Sequence, residues 1–178
     1  RRGRKYAVVA AGKAAGWYDE VAGVVGAPDR KRVAFAARIG ERWLAVVDGV
    51  EWPECDGFAQ GPAFAPRGPG AVALAKYGER MAVIRDGKAG ALHDLVLGPY
   101  AFPISEGFSP DGGRFAYAAR DGAGWTMVVD GVPGPAFDSI AGEGPPAFRE
   151  DARLEYLAIR ERVLYRVEVG PGRQGMPR

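Results

Sequence analysis

Large and small apolar residues alternate along this chain at a period of two, in short runs broken by Gly, Pro and Asp. Such alternation, bounded by turn residues, predicts strands rather than helices. Val33 and Phe35, Val72 and Leu74, Phe115 and Tyr117, and Leu154 and Tyr156 put large side chains on one sheet face. Ala34 and Ala36, Ala73 and Ala75, and Ala116 and Ala118 occupy the other. A bulky face set against a small one fills volume without clashes, which suits sheets packed face to face. These runs are strand B of a repeating unit. Strand C follows at 44–47, 81–84 and 126–129, entered through Ile39-Gly40-Glu41, Tyr77-Gly78-Glu79 and Asp121-Gly122-Ala123. It leaves through Asp48-Gly49, Asp86-Gly87 and Asp130-Gly131, the dipeptide that supplies the positive φ of a tight hairpin. Strand D holds an aspartate column, and strand A is the short run ending at Phe64, Phe108 and Phe148.

The spacing of these elements is regular. Gly12, Gly49, Gly87 and Gly131 each precede an aspartate by seven residues, at intervals of 37, 38 and 44. Gly40, Gly78 and Gly122 repeat the last two intervals. A period near 40 to 45 residues is that of a four-stranded propeller blade. The expected fold is all-β, a β-propeller of about four four-stranded blades, either a closed small ring or half of a larger or oligomeric one. Repeats fall near 6–23, 24–61, 62–98, 99–142 and 143–170, between a basic tail at 1–5 and a flexible tail at 171–178. The chain opens at 6–11 on a segment that aligns with strand C, continues into a D strand near 18–22, and closes with A, B and C, the last at 163–169. An N-terminal D strand that completed the last blade would close a ring of four, near the lower limit for propellers. The duplicated C strand favours instead an open array, or a half-ring that pairs with a second copy. The stretch 151–169 has a helical composition, but it aligns with the earlier B and C strands.

One run carries a family resemblance. Phe108-Ser109-Pro110-Asp111-Gly112-Gly113-Arg114-Phe115-Ala116-Tyr117 resembles the Ser-Pro-Asp-Gly blade motif of TolB-type β-propellers, relatives of the WD-type repeats. Ala27-Pro28-Asp29 and Ala65-Pro66-Arg67-Gly68 echo it, whereas Phe148-Arg149-Glu150-Asp151 has no proline. The resemblance implies a protein-interaction platform, in some relatives beside a catalytic domain, and an extracytoplasmic setting. A fold of this kind fixes no function by itself.

Charge narrows the partners. The formal net charge is +2, but Arg1, Arg2, Arg4, Lys5, Arg173 and Arg178 lie at the ends, leaving 18 basic against 22 acidic residues in the body. Nucleic-acid binding needs a basic folded face, so no nucleic-acid partner is expected. No apolar run approaches the roughly 18 residues of a membrane span. Asn is absent and Gln and Thr are rare, a composition shared by thermostable proteins.

Candidate chemistry is sparse. His93 and Cys55, each single in the chain, stand in one repeat column with Tyr18 and Phe137, as expected of a core-packing position. Two ligands without a third or fourth make no zinc site, and Ser105, Ser109 and Ser139 are not placed with His93 by any motif. Asp19, Asp56, Asp94 and Asp138, like Asp48, Asp86 and Asp130, are expected to hydrogen-bond turns at the rim. Gly68-Pro69-Gly70-Ala71-Val72-Ala73 fits a loose dinucleotide fingerprint but precedes a strand, not a helix. No catalytic residue, metal or cofactor is assigned.

The spacing from each Asp to the next strand A is 8 residues from Asp56 and 10 from Asp138, but 14 from Asp94. The extra segment 97–107 carries Tyr100, Phe102 and Ile104 on an expected D-to-A connection. Alternation puts this connection on the same face as the B-to-C turns, with Arg38, Arg42, Tyr77 and Arg80. Aromatic and arginine side chains together are what interface hot spots favour. The aromatics could equally fold back over a blade edge. The leading expectation is a non-enzymatic scaffold binding a protein partner or a copy of itself, as in a homodimer that completes the ring. The alternatives are a small-ligand or glycan-binding module using the channel or an inter-blade cleft, and the propeller portion of a hydrolase.

Overall fold

The computed structural model describes residues 5–10, 13–97, 103–141, 147–171 and 176–177. A hairpin of β1 (Val9–Ala10) and β2 (Lys13–Ala14) opens the chain. Blade 1 is β3 (Glu20–Gly26), β4 (Val33–Ile39), β5 (Arg42–Val47) and β6 (Val50–Glu51), hydrogen-bonded in that order. Blade 2 repeats the order with β7 (Gly57–Phe64), β8 (Ala71–Tyr77), β9 (Arg80–Arg85) and β10 (Lys88–Ala89). Blade 3 follows with β11 (Leu95–Leu97), β12 (Ala116–Asp121), β13 (Gly124–Val129) and β14 (Val132–Phe137). In blade 4, β15 (Ser139–Ala141) and β16 (Ala147–Phe148) both pair with β17 (Leu154–Arg160), followed by β18 (Val163–Val169) and β19 (Met176–Pro177). The fold is all-β, four consecutive four-stranded antiparallel blades of the β-propeller class. The stretch 151–169 is strand, as its alignment predicts.

Three tight turns join C to D as the sequence requires. Asp48 and Gly49 take φ of 53° and 82°, Asp86 and Gly87 of 49° and 79°, and Asp130 and Gly131 of 52° and 81°. Both central residues with positive φ make the turn whose twist matches a hairpin. The blade boundaries differ from the expected ones. Each blade begins directly after the aspartate column, and β7 is one strand from Gly57 to Phe64 paired with β8. The stretch expected as a D-to-A connection is therefore strand A itself. At the other end, Met176 and Pro177 pair with Glu168 and Val167, so the segment expected as a flexible tail supplies the outer strand of blade 4.

The core is divided among junctions. One apolar cluster lies between the N-terminal hairpin and blade 1, and one each between blades 1 and 2, 2 and 3, and 3 and 4. Val8, Ala15 and Tyr18 cover Phe35 and Leu44 of blade 1, so the hairpin stacks on blade 1 rather than completing blade 4. The expected large-against-small packing fails at one blade. In blade 2 the alanines Ala71, Ala73 and Ala75 face blade 1, while Val72 and Leu74 face blade 3. In blade 3 the large Phe115 and Tyr117 face backwards to blade 2. The outer strands compensate. Trp52 fills the junction lined by Ala73, whereas Gly90 stands against the Tyr117 hydroxyl and Gly134 against that of Tyr156, with contacts of 3.6 and 3.8 Å from the position of a glycine Cβ. Burying a large side chain such as Trp52 contributes about 1.5–3 kcal/mol, so a junction of small residues alone would be poorly held.

Candidate functional site

Both aspartate columns are hydrogen-bonding devices. The carboxylates of Asp19, Asp56, Asp94 and Asp138 accept from the backbone N–H of Gly40, Gly78, Gly122 and Glu161, at 2.9, 2.6, 2.8 and 2.7 Å. Each acid ends one blade, or the hairpin, and holds the B-to-C turn of the next. Asp48, Asp86 and Asp130 likewise accept from the first N–H of strand B, at Val33, Ala71 and Phe115. The turn-bonding role expected from the sequence is thus observed, with partners in the next blade rather than in a local turn for the first column.

The expected interaction face is the one carrying the B-to-C turns. Arg38 pairs with Glu20 and donates to the Gly40 carbonyl at 2.6 Å. Arg42 is held by Asp56 and lies 3.8 Å from Glu54. Arg80 reaches Asp94 at 3.5 Å, Asp121 at 3.3 Å and the Leu92 carbonyl at 2.7 Å. Tyr77 is half-buried against the cluster of blades 1 and 2, and burial pushes its hydroxyl pKa up. Tyr100 and Phe102 lie outside the described residues.

Ile104 has another role. The inserted segment interrupts strand A of blade 3, since β11 pairs with β12 before it and Phe108 bridges Phe115 after it. Its 3-10 turn, Ile104–Gly107, returns the chain to the core. Ile104 is 2% exposed in the cluster of blades 2 and 3, and its N–H donates to Gln60 Oε1 at 2.6 Å. Gly107 is required there, because a Cβ would meet the Ala116 carbonyl at 2.4 Å. Ile104 is a packing residue, because its 3-10 turn folds against strands A and B of blade 2.

The column holding Cys55 and His93 packs as expected. Cys55 is buried between blades 1 and 2, its thiol pKa raised by burial, and its Sγ lies 3.2 Å from the Gly57 carbonyl. His93 faces blade 3, with Nδ1 2.8 Å from Asp121 Oδ2 and its ring edge-on to Tyr117. Burial opposes ionisation of Asp121, but hydrogen bonds with His93, the Asp94 N–H and Arg80 outweigh it and lower the pKa. Ser109 stands at the other end of this strand hairpin, with its hydroxyl committed to Asp111 at 2.5 Å and its Oγ accepting from the Arg114 N–H. The structure therefore does not bring Ser109, His93 and Asp121 together. Ser109 and Asp111 build a turn in which Gly112, at φ 75°, would place a Cβ 1.9 Å from the Arg67 carbonyl. The blade motif locks two neighbouring A-to-B turns.

A further surface was not legible as a site. The N-terminal hairpin extends through bridges from Tyr6 to Tyr18, and stands as the C and D strands of a blade. Among the described residues, no strand pairs with the second edge of β1. Tyr6, Val9 and Trp17 are 51%, 65% and 69% exposed on this element. The signal that locates it is the duplicated C strand.

Stacked four-stranded blades of this kind define a β-propeller array. No family model matches the chain, and no curated protein matches it. Among solved structures, it is similar to the crystal structure of TolB from Acinetobacter baumannii, with 13% identity and a TM-score of 0.44. That likeness covers 93% of this chain and 45% of the other, so the chain spans less than half the length of that protein.

Proposed function

We propose that this chain is a non-enzymatic scaffold that joins another polypeptide, in the first instance a second copy of itself, at the N-terminal end of its array. The observation that carries this reading is the half-blade, whose free strand edge and exposed Tyr6, Val9 and Trp17 fit an added strand or sheet face. The loop face is the second surface of the proposal. Its Arg42 and Arg80 are exposed, and a partner's acids can compete for the carboxylates that hold them.

Solution mass by light scattering coupled to size exclusion tests the first surface. The expected result is a species near twice the 18.9 kDa of the chain, reduced to 18.9 kDa by joint Val9→Arg and Trp17→Glu substitution. A wild-type mass of 18.9 kDa at every concentration overturns self-association. For the second surface, Tyr100→Ala with Phe102→Ala should weaken the complex and leave the melting temperature unchanged. A collapse of stability would assign both residues to the core.

A further inference from the structure

The N-terminal hairpin leaves two different surfaces open, a sheet face and a strand edge. Its inward face covers Phe35 and Ala37 of β4 and Leu44 and Val46 of β5, and the Tyr18 hydroxyl donates to Glu51 of β6 at 3.0 Å. Strand A of blade 1 is left bare. In β3 Glu20, Ala22, Gly23, Val24 and Gly26 are exposed, whereas in β7, strand A of blade 2, only Gly61 is. The gap beside β1 is therefore the A and B half of a blade, two strands or about 10 Å wide.

The edge that borders this gap has a defined set of main-chain groups. Tyr6 exchanges both backbone bonds with Tyr18, and the Val8 carbonyl accepts from the Ala15 N–H, so these two residues face the rest of the hairpin. Alternate residues of an antiparallel strand turn to opposite sides, which sends the N–H and C=O of Ala7 and Val9 into the gap. A second copy cannot fill it with its own β1. Two copies of one edge pair symmetrically only as antiparallel strands, with their covered faces on the same side of the joint sheet. The two copies of blade 1 would then overlap, since each is four strands wide under a two-stranded hairpin. A second copy is left with the outward face of Val9 and Trp17, and the edge needs a strand that brings no blade with it.

We propose that the open edge of β1 takes an extended segment of a partner polypeptide, antiparallel to β1 and apolar at alternate positions, in the place of strand B. The proposal rests on the reading of the N-terminal end as the joining end, and adds to it a second, separate surface. The interior blades show what fits beside a C strand. In β8 the Ala71 carbonyl accepts from Asp86, just past the end of β9, so Ala71, Ala73 and Ala75 turn their main-chain groups to strand C. The Lys76 carbonyl accepts from Asp56, so Val72, Leu74 and Lys76 turn theirs to strand A. Val72 and Leu74 also carry the side chains that face the following blade. A segment of this pattern sets its main chain on Ala7 and Val9 and its larger side chains over blade 1.

The test is fluorescence anisotropy of a labelled Ala71–Tyr77 peptide titrated with the full chain. Saturable binding is expected. N-methylation of the peptide at Ala73 and Ala75 should weaken it about tenfold or more, the effect of two lost hydrogen bonds. N-methylation at Val72 and Leu74, which face the vacant place of strand A, should change it by less than about twofold. Val9→Pro removes an N–H that points into the gap, a change that an edge strand tolerates. That variant should keep its melting temperature and bind the unmodified peptide about fivefold more weakly or worse. No saturable binding up to millimolar peptide would overturn the proposal, as would equal affinity of the two methylated peptides or unchanged binding to folded Val9→Pro. The methylated pair decides the matter even where Val9→Pro melts early. Solution mass reports the second copy separately, so either surface can fail alone.

Discussion

The two ends of the array meet water differently. At the C-terminal end, β17 buries Leu154, Tyr156 and Ala158 against blade 3, and its other face carries Glu155, bound to Arg149 and Arg166. Leu157 shares that outward face, diluted by charge. At the N-terminal end, a two-stranded piece covers blade 1 but itself exposes Tyr6, Val9 and Trp17. Interior β8 differs from both, being buried on either face from Ala71 to Ala75. Stacked repeats need a polar outer face only where stacking stops. Blade 4 exposes Val163 and Leu164 as well, but on its outward face Leu157 and Leu164 stand among the charges of Glu155, Arg166 and Glu168, whereas the exposed Tyr6, Val9 and Trp17 of the hairpin are among its largest apolar side chains.

The largest effect that could break this contrast is in stability. Leu154→Ala should cost about 2–5 kcal/mol by leaving a cavity in the junction of blades 3 and 4. Leu157→Ala, one strand face away, should change stability by less than about 0.5 kcal/mol in urea denaturation. Similar losses from both would mean that the outward face of blade 4 is covered. Next in size is a change in a turn. Glu161 and Arg162 hold φ of 52° and 66° in blade 4, where blades 1 to 3 use a glycine at the corresponding turn. Glu161→Gly should gain up to about 1 kcal/mol, since Glu161 stands where blades 1 to 3 have the glycine and left-handed backbone is strained for a residue with a Cβ. An unchanged melting temperature would argue that the terminal blade tolerates this geometry without strain.

The alternation of strands and the column of Asp48, Asp86 and Asp130 were legible because each depends on neighbours within one hairpin, and the period and the first aspartate column because they recur along the chain. The direction in which a sheet face points was not. Val72 and Leu74 alternate like Phe115 and Tyr117, yet they face opposite neighbours, and only the inter-blade contacts separate the two cases. Ile104 was misplaced for a related reason, as its hydrogen-bond partner Gln60 is 44 residues away. The arginines of the B-to-C turns were legible as residues, whereas the open cleft beside Tyr117 depends on Gly90 in another blade. A missing side chain leaves no motif.

Acid titration sharpens the contrast between interior and ends. Asp130 is opposed by burial, but its hydrogen bonds with Arg114, the Phe115 N–H and Arg85 outweigh that and depress its pKa. A depressed carboxylate pKa stabilises the fold above the unfolded value, and that contribution is lost as pH falls through the folded one. Unfolding free energy should therefore decline below about pH 4, the unfolded aspartate value, and the decline should be shallower in Asp130→Asn. An identical acid limb in both proteins would remove Asp130 from the account. The smallest effect is at the exposed end, where Trp17→Glu should alter stability by less than about 0.5 kcal/mol while changing the solution mass.

The aspartate that closes each unit gives the chain a grammar with a direction. Gly57 to Asp94 is a 38-residue word that arrives needing an acid from its predecessor and departs offering one to its successor. Duplicated in tandem, such a word would find its turn already provided for at both joints. Begun a few residues earlier but still ended at Asp94, the word would carry two acids; ended a few residues before Asp94, it would offer none to its successor. For anyone lengthening or shortening the array, the aspartates are the punctuation at which the text can be divided.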